Sequence, residues 1–362
     1  MARLIEPAIA ASIARRVAGP PPADSEGSLA RLSHDLGEAV PRSEDLVAAA
    51  SGIPPPSPVK WAVVDRASWA EANIAGMSAL IEPLADRVGQ RLDKLPLPVR
   101  LAQKGLVSAE VGVLLGYVSR RVLGQYDLFV PEDPPARPGH RRRRSRIEAG
   151  TVLYFVGPNM TETVRRQEFV GSEFALWVAL HEVTHRFQFA GVPWLRPRFF
   201  GLIETYMSSM ELDARGLVSR IAGAARQVAS RSVPADQRHP MFLLASPDQR
   251  ATLEKLQALM TVVEGHGNFV MDLVGARVIP TFKAMRTSFE KRRRQPGTVQ
   301  RAFNHLIGLE MKLRQYEIGQ RFCEEVYRQG GAPAVAALWS SPEGLPTLDE
   351  LREPVSWLKR VA

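Results

Sequence analysis

The tightest constraint on this chain is the stretch Val178-Ala179-Leu180-His181-Glu182-Val183-Thr184-His185, which sets two histidines and a glutamate inside an apolar segment. Phe174 to Leu180 is apolar at seven successive positions, and a helix that is apolar all round is a buried one. Buried imidazoles need polar partners. On a helix, residues i and i+4 share a face, so His181 and His185 can both turn towards one metal ion. Glu182 stands about 100° further round the helix than His181. That suits a carboxylate that touches a metal-held water rather than the metal. The chain has only 7 histidines, and independent placement would produce such a motif about 0.01 times in this composition. The pattern is that of a zinc hydrolase, most often a peptidase, with His181 and His185 as ligands and Glu182 as general base.

Two histidines leave a zinc site incomplete, so a further ligand is expected downstream. The segment Thr261 to Asp272 places polar residues within an otherwise apolar helix. Glu264, Asn268 and Asp272 follow each other at i, i+4 and i+8 and share a face. Glu264 is the preferred third ligand, with Asn268 or Asp272 holding a ligand imidazole through its free ring N–H. His266 lies about 200° away from Glu264 on an ideal helix and is the alternative ligand. Donors for a developing oxyanion come from His266, Tyr206, Arg314 and Tyr316, which sequence does not rank. Gln188, seven residues after His181, falls near the same face. Arg121, Gln125, Tyr126 and Asp127 read as a structural polar cluster after a helix.

The rest of the chain sets the frame. Its 362 residues suffice for a sizeable core, and no run approaches the roughly 18 apolar residues of a membrane span. A single cysteine, Cys323, excludes an internal disulfide and fits a reducing, cytoplasmic setting. The net charge of +9 is concentrated in an arginine run from Arg137 to Arg146 and in Lys291 to Arg294. Neither cluster is interleaved with stacking aromatics, so no specific nucleic-acid partner is expected. Proline-rich stretches at 19–23, 54–58 and 131–138 interrupt regular structure, and the third opens a basic loop over 131–149. Residues 1–59 form an N-terminal helical and proline-rich segment, and 60–362 form the main domain. Helical patterns run over Trp69–Leu92, Val107–Leu123, Arg250–Val274 and Asn304–Tyr327, with Gly265 and Gly267 weakening the third. Thr151 to Val156 is the best strand, and Ser172 is the expected N-cap of the motif helix. The fold class is mainly α, with a small strand element beside the active-site helix.

Several motifs together resemble the type 2 zincin-like metallopeptidase family, whose members are often labelled as associated with biosynthesis of a deazaflavin coenzyme. They are His181 to Phe189, Glu264-Gly265-His266 and Lys312-Leu313-Arg314-Gln315-Tyr316-Glu317. Val122 to Asp127, Val156-Gly157-Pro158-Asn159 and Ser341 to Thr347 match as well. The resemblance runs from about residue 60 to the C-terminus. It implies a zincin-like fold, a Zn2+ cofactor on His181 and His185, Glu182 as catalytic base, and a peptide or protein substrate with no membrane partner. The alternative is a metal-stabilised binding or scaffold protein without turnover. One departure stands out: the position after the second histidine is usually uncharged, and here it is Arg186.

Overall fold

The computed structural model describes residues 4–20, 25–57, 60–81, 96–130, 152–209, 245–294 and 309–361. The architecture is mainly helical with one three-stranded sheet. The chain divides into two compact units. The first comprises Met1–Leu46, Pro56–Arg186 and Ile279–Thr281, and the second Val47–Pro55, Phe187–Val278 and Phe282–Ala362. The expected basic loop over 131–149 lies outside the described residues.

In the first unit, α1 (Pro7–Ala18) starts on a proline, whose missing donor costs nothing in a first turn. Its alanine face, Ala10 and Ala14, lies against Gly112 and Gly116 of α4 (Leu97–Ser119), so the two backbones approach closely. Helix α2 (Ser25–Ser51) follows α1, and β1 (Trp61–Val64) leads into α3 (Arg66–Leu80). Asp65 caps α3 by accepting from the Ser68 amide at 2.6 Å. The sheet has the order β1-β3-β2. Its central strand β3 (Leu153–Val156) pairs in parallel with β1, Trp61 opposite Leu153, and antiparallel with β2 (Gly124–Tyr126). All four β3 residues are buried, as a strand flanked on both edges requires. Val64, Trp69, Ile74, Leu115, Tyr154 and Val156 join the α1 alanines in one core.

Helix α5 (Gly157–Gln167) springs directly from β3. Buried Asn159 fixes that corner: its amide donates to the Ser119 and Val122 carbonyls at 2.7 and 2.6 Å. Its oxygen accepts from Arg66 Nε at 2.7 Å. The motif helix α6 (Gly171–Gly191) begins one residue before the expected cap, Ser172. Glu173 in its first turn accepts from both the amide and the hydroxyl of Thr281, at 2.9 and 2.5 Å.

The second unit is built on α7 (Leu195–Ser208), α8 (Pro247–Val278), α9 (Phe282–Arg294) and α10 (Leu309–Ala336). Short 3-10 turns follow, then α11 (Leu348–Arg352) and α12 (Pro354–Val361). Helix α8 runs unbroken through Gly265 and Gly267, which local propensity reads as weak points. The reason is tertiary. A methyl group on Gly265 would overlap the backbone of Gly319 in α10, and one on Gly319 would overlap the Thr261 carbonyl. Glycine is there for the close approach of two helices.

That reading gives opposite signs for the local and tertiary effects of Gly265→Ala. Alanine improves helix propensity by about 1 kcal/mol, while overpacking costs about 1–3 kcal/mol and sometimes more. The substitution should therefore lower the free energy of urea unfolding. A gain in stability would show that the α8–α10 contact yields easily.

Candidate metal centre

The motif helix presents its groups to different neighbours, as a 100° step per residue dictates. His181 and His185 are half-buried and meet edge-on one turn apart, with ring centroids 4.5 Å apart and planes at 82°. Their Nε2 atoms converge to 3.1 Å. Zinc–nitrogen bonds of 2.0–2.1 Å at a tetrahedral angle would hold two nitrogens about 3.3 Å apart. The spacing thus fits two lone pairs aimed at one cation.

One ligand atom from each of His181, His185 and Glu264 lies within 4.8 Å of the others. Glu264 is half-buried in α8, next to Val263. Gln188, on the last turns of α6, donates its amide to the carbonyl of Val263 at 2.9 Å. The same nitrogen lies 3.0 Å from His266 Nδ1. His266, the alternative ligand, is fully buried and packs edge-on against Trp339, with ring centroids 4.9 Å apart. It is not among the three residues whose ligand atoms converge. The donor set brought together is two imidazoles and a carboxylate, which suits zinc and leaves room for a water or substrate oxygen.

Glu182, about 100° round α6 from His181, is 7% exposed. Its Oε2 accepts from the backbone N–H of Tyr126 at 3.1 Å, in β2. The segment that reads as a structural polar cluster therefore forms a wall of the site. Gln125 in the same strand exchanges two amide bonds of 3.1 Å with Asn73 of α3. The sequence signal was available: Gly124 to Asp127 is one of the pieces that carries the family resemblance.

Two expectations need correction. Arg186 is fully buried and donates to Glu44 of α2 at 2.7 Å, so its charge is spent on an ion pair rather than on the metal's surroundings. Asp272 does not hold a ligand imidazole: it pairs with Arg286 and accepts from Gln320 at 2.8 Å. Asn268 is buried in α8. Tyr206 lies in α7, its phenol pKa raised by desolvation. Arg314 and Tyr316 belong to α10, but their side chains lie outside the described residues.

Residues 5–358 match the profile of the zincin-like metallopeptidase family. The chain is also similar to a crystal structure described as a candidate hydrolase with a novel fold, from Chloroflexus aurantiacus. Identity is 29%, the TM-score is 0.68, and the match covers 98% of each chain. None of the curated proteins matches the chain.

Asp272 provides a pH test of its own assignment. Burial pushes its carboxyl from 3.8 up to about 6, against the opposing pull of Arg286 and Gln320. The folded protein then holds an extra proton between those values. Stability from this group is highest below about pH 4, falls as pH rises towards 6, and levels off above. Asp272→Asn lacks that titration, so its unfolding free energy should gain on the parent's across this window. A difference independent of pH in urea titrations would remove Asp272 from its buried network.

Proposed function

Because the chain belongs to the zincin-like metallopeptidase family, we propose that it is a zinc-dependent hydrolase acting on a peptide or protein substrate. The observation that carries this reading is the convergence of His181, His185 and Glu264 beside a glutamate held in place by a backbone amide. His181, His185 and Glu264 are the ligands in this proposal, and Glu182 is the general base. Zinc at such a site supplies Lewis acidity, which makes a water nucleophilic near neutral pH.

Glu182 does the proton work. Oε2 is engaged by the Tyr126 amide, and Oε1 is the oxygen that takes the proton of the attacking water and passes it to the leaving amine. Its neighbour Thr184 bonds back to the Leu180 carbonyl at 2.6 Å, so the helix between the ligands carries no competing hydroxyl into the site. Arg186, paired with Glu44, adds no net charge to the substrate's approach. Among the described residues no helix is long and apolar enough to cross a membrane.

Purified protein should contain about one zinc per chain, and His181→Ala or His185→Ala should remove it. Glu264→Gln should weaken zinc in a chelator competition more than His266→Gln does. The reverse order would transfer the third ligand to His266.

Glu182→Gln separates chemistry from metal binding. Zinc content and thermal stability should stay near the parent's, while hydrolysis falls by about 10²-fold or more, the scale of a lost general base. Equal hydrolysis by parent and variant would favour a metal that serves structure, or a different base.

A further inference from the structure

We propose that the outer edge of β2 is a socket that positions the Glu182 carboxylate, with the Tyr126 N–H holding one oxygen and the bare Cα of Gly124 supplying the space. The inference rests on the reading of Glu182 as general base and adds Gly124 and Tyr126 to it as positioning residues.

The strand register points these two residues at the site. Gly124, Gln125 and Tyr126 stand opposite Phe155, Tyr154 and Leu153. The ladder is bracketed by Asp127 N–H to the Val152 carbonyl at 2.7 Å and by Val156 N–H to the Leu123 carbonyl at 2.9 Å. Backbone groups alternate along an antiparallel pair. Leu123, Gln125 and Asp127 therefore face β3, and the polar groups of Gly124 and Tyr126 turn to the free edge. Tyr126 is buried, so its N–H needs a protein acceptor, and Glu182 Oε2 provides it.

Gly124 has no backbone reason to be glycine. Among the described residues, positive φ values occur at Gly19, Gly52, Gly331 and Glu168, and Gly124 is not one of them. What forbids a side chain is Glu182 itself. A Cβ on Gly124 would lie 2.7 Å from Glu182 Cγ and 3.0 Å from both Cδ and Oε1. Any larger residue would push the carboxylate off its amide. The strand is in turn braced by the Asn73–Gln125 amide pair and by the Phe129 N–H donated to Asp127 Oδ1 at 2.9 Å. A base must be held within about 0.5 Å of its working geometry, and a braced strand edge does this better than a free side chain.

A double-mutant cycle on the full chain tests the socket. Gly124→Ala should lower the apo-protein melting temperature when Glu182 is present and leave it unchanged in the Glu182→Ala background, where the clashing atoms are gone. That background also supplies a folded Gly124→Ala protein should the single variant fail to fold. With cobalt in place of zinc, acetohydroxamate binding is read from the visible spectrum. Gly124→Ala should weaken it by about tenfold, the scale of one hydrogen bond to a charged group. Glu182→Ala and the double variant should bind it equally, and zinc affinity should be unchanged by Gly124→Ala. An equal melting loss in both backgrounds would overturn the proposal by making Gly124 a requirement of the strand. Parent-like hydroxamate binding in Gly124→Ala would overturn it too, since the carboxylate would not depend on the socket. Failure of Glu182→Ala to weaken the hydroxamate would instead overturn the general-base reading beneath it.

Discussion

The interaction on which the site depends is the burial of polar side chains in the motif helix. Phe174 to Leu180, Val183, Phe187 and Phe189 make α6 a core helix, so each polar group on it must be met by another element. Glu173 is met by Thr281, Glu182 by the Tyr126 amide, Thr184 by its own helix, Arg186 by Glu44 and Gln188 by the Val263 carbonyl. His181 and His185 remain: their Nε2 atoms converge to 3.1 Å, and one ligand atom of Glu264 lies within 4.8 Å of a ligand atom of each. Two imidazoles and a carboxylate are a donor set that suits a metal ion.

The parts of this legible in the sequence are those set by helix periodicity. The i, i+4 histidines, the apolar segment around them and the polar residues of Thr261 to Asp272 all sit on helices, where spacing fixes direction. The β-branched and aromatic run at the head of α5 forms the expected strand, over Leu153–Val156. Partners far apart in sequence were not legible. Glu44 is 142 residues from Arg186, and Tyr126 is 56 from Glu182, and periodicity carries no information across such separations. Glycines failed for the same reason. Gly265 reads locally as a helix weakness, because the reason for it stands on α10. Nothing in the local sequence explains Gly124, because the carboxylate it makes room for stands on α6.

Arg186 shows how an apparent departure from a motif can be a structural solution. Beside the second histidine an unpaired guanidinium would repel a cation. Buried without a partner it would also cost several kcal/mol, on the order of 3–5. The pair with Glu44 answers both, about 100° round α6 from His185 and one turn beyond Glu182.

On α8, order comes from Gln188. The Gln188 amide nitrogen has two hydrogens, and the Val263 carbonyl, which can only accept, takes one. The amide orientation is fixed by that bond, so the second hydrogen goes to His266 Nδ1, which must carry a lone pair. His266 is thereby tied, through Gln188, to the carbonyl that precedes Glu264 in α8. Gln188 thus orders the turn of α8 that carries Glu264, holding Val263 and His266 with one amide nitrogen.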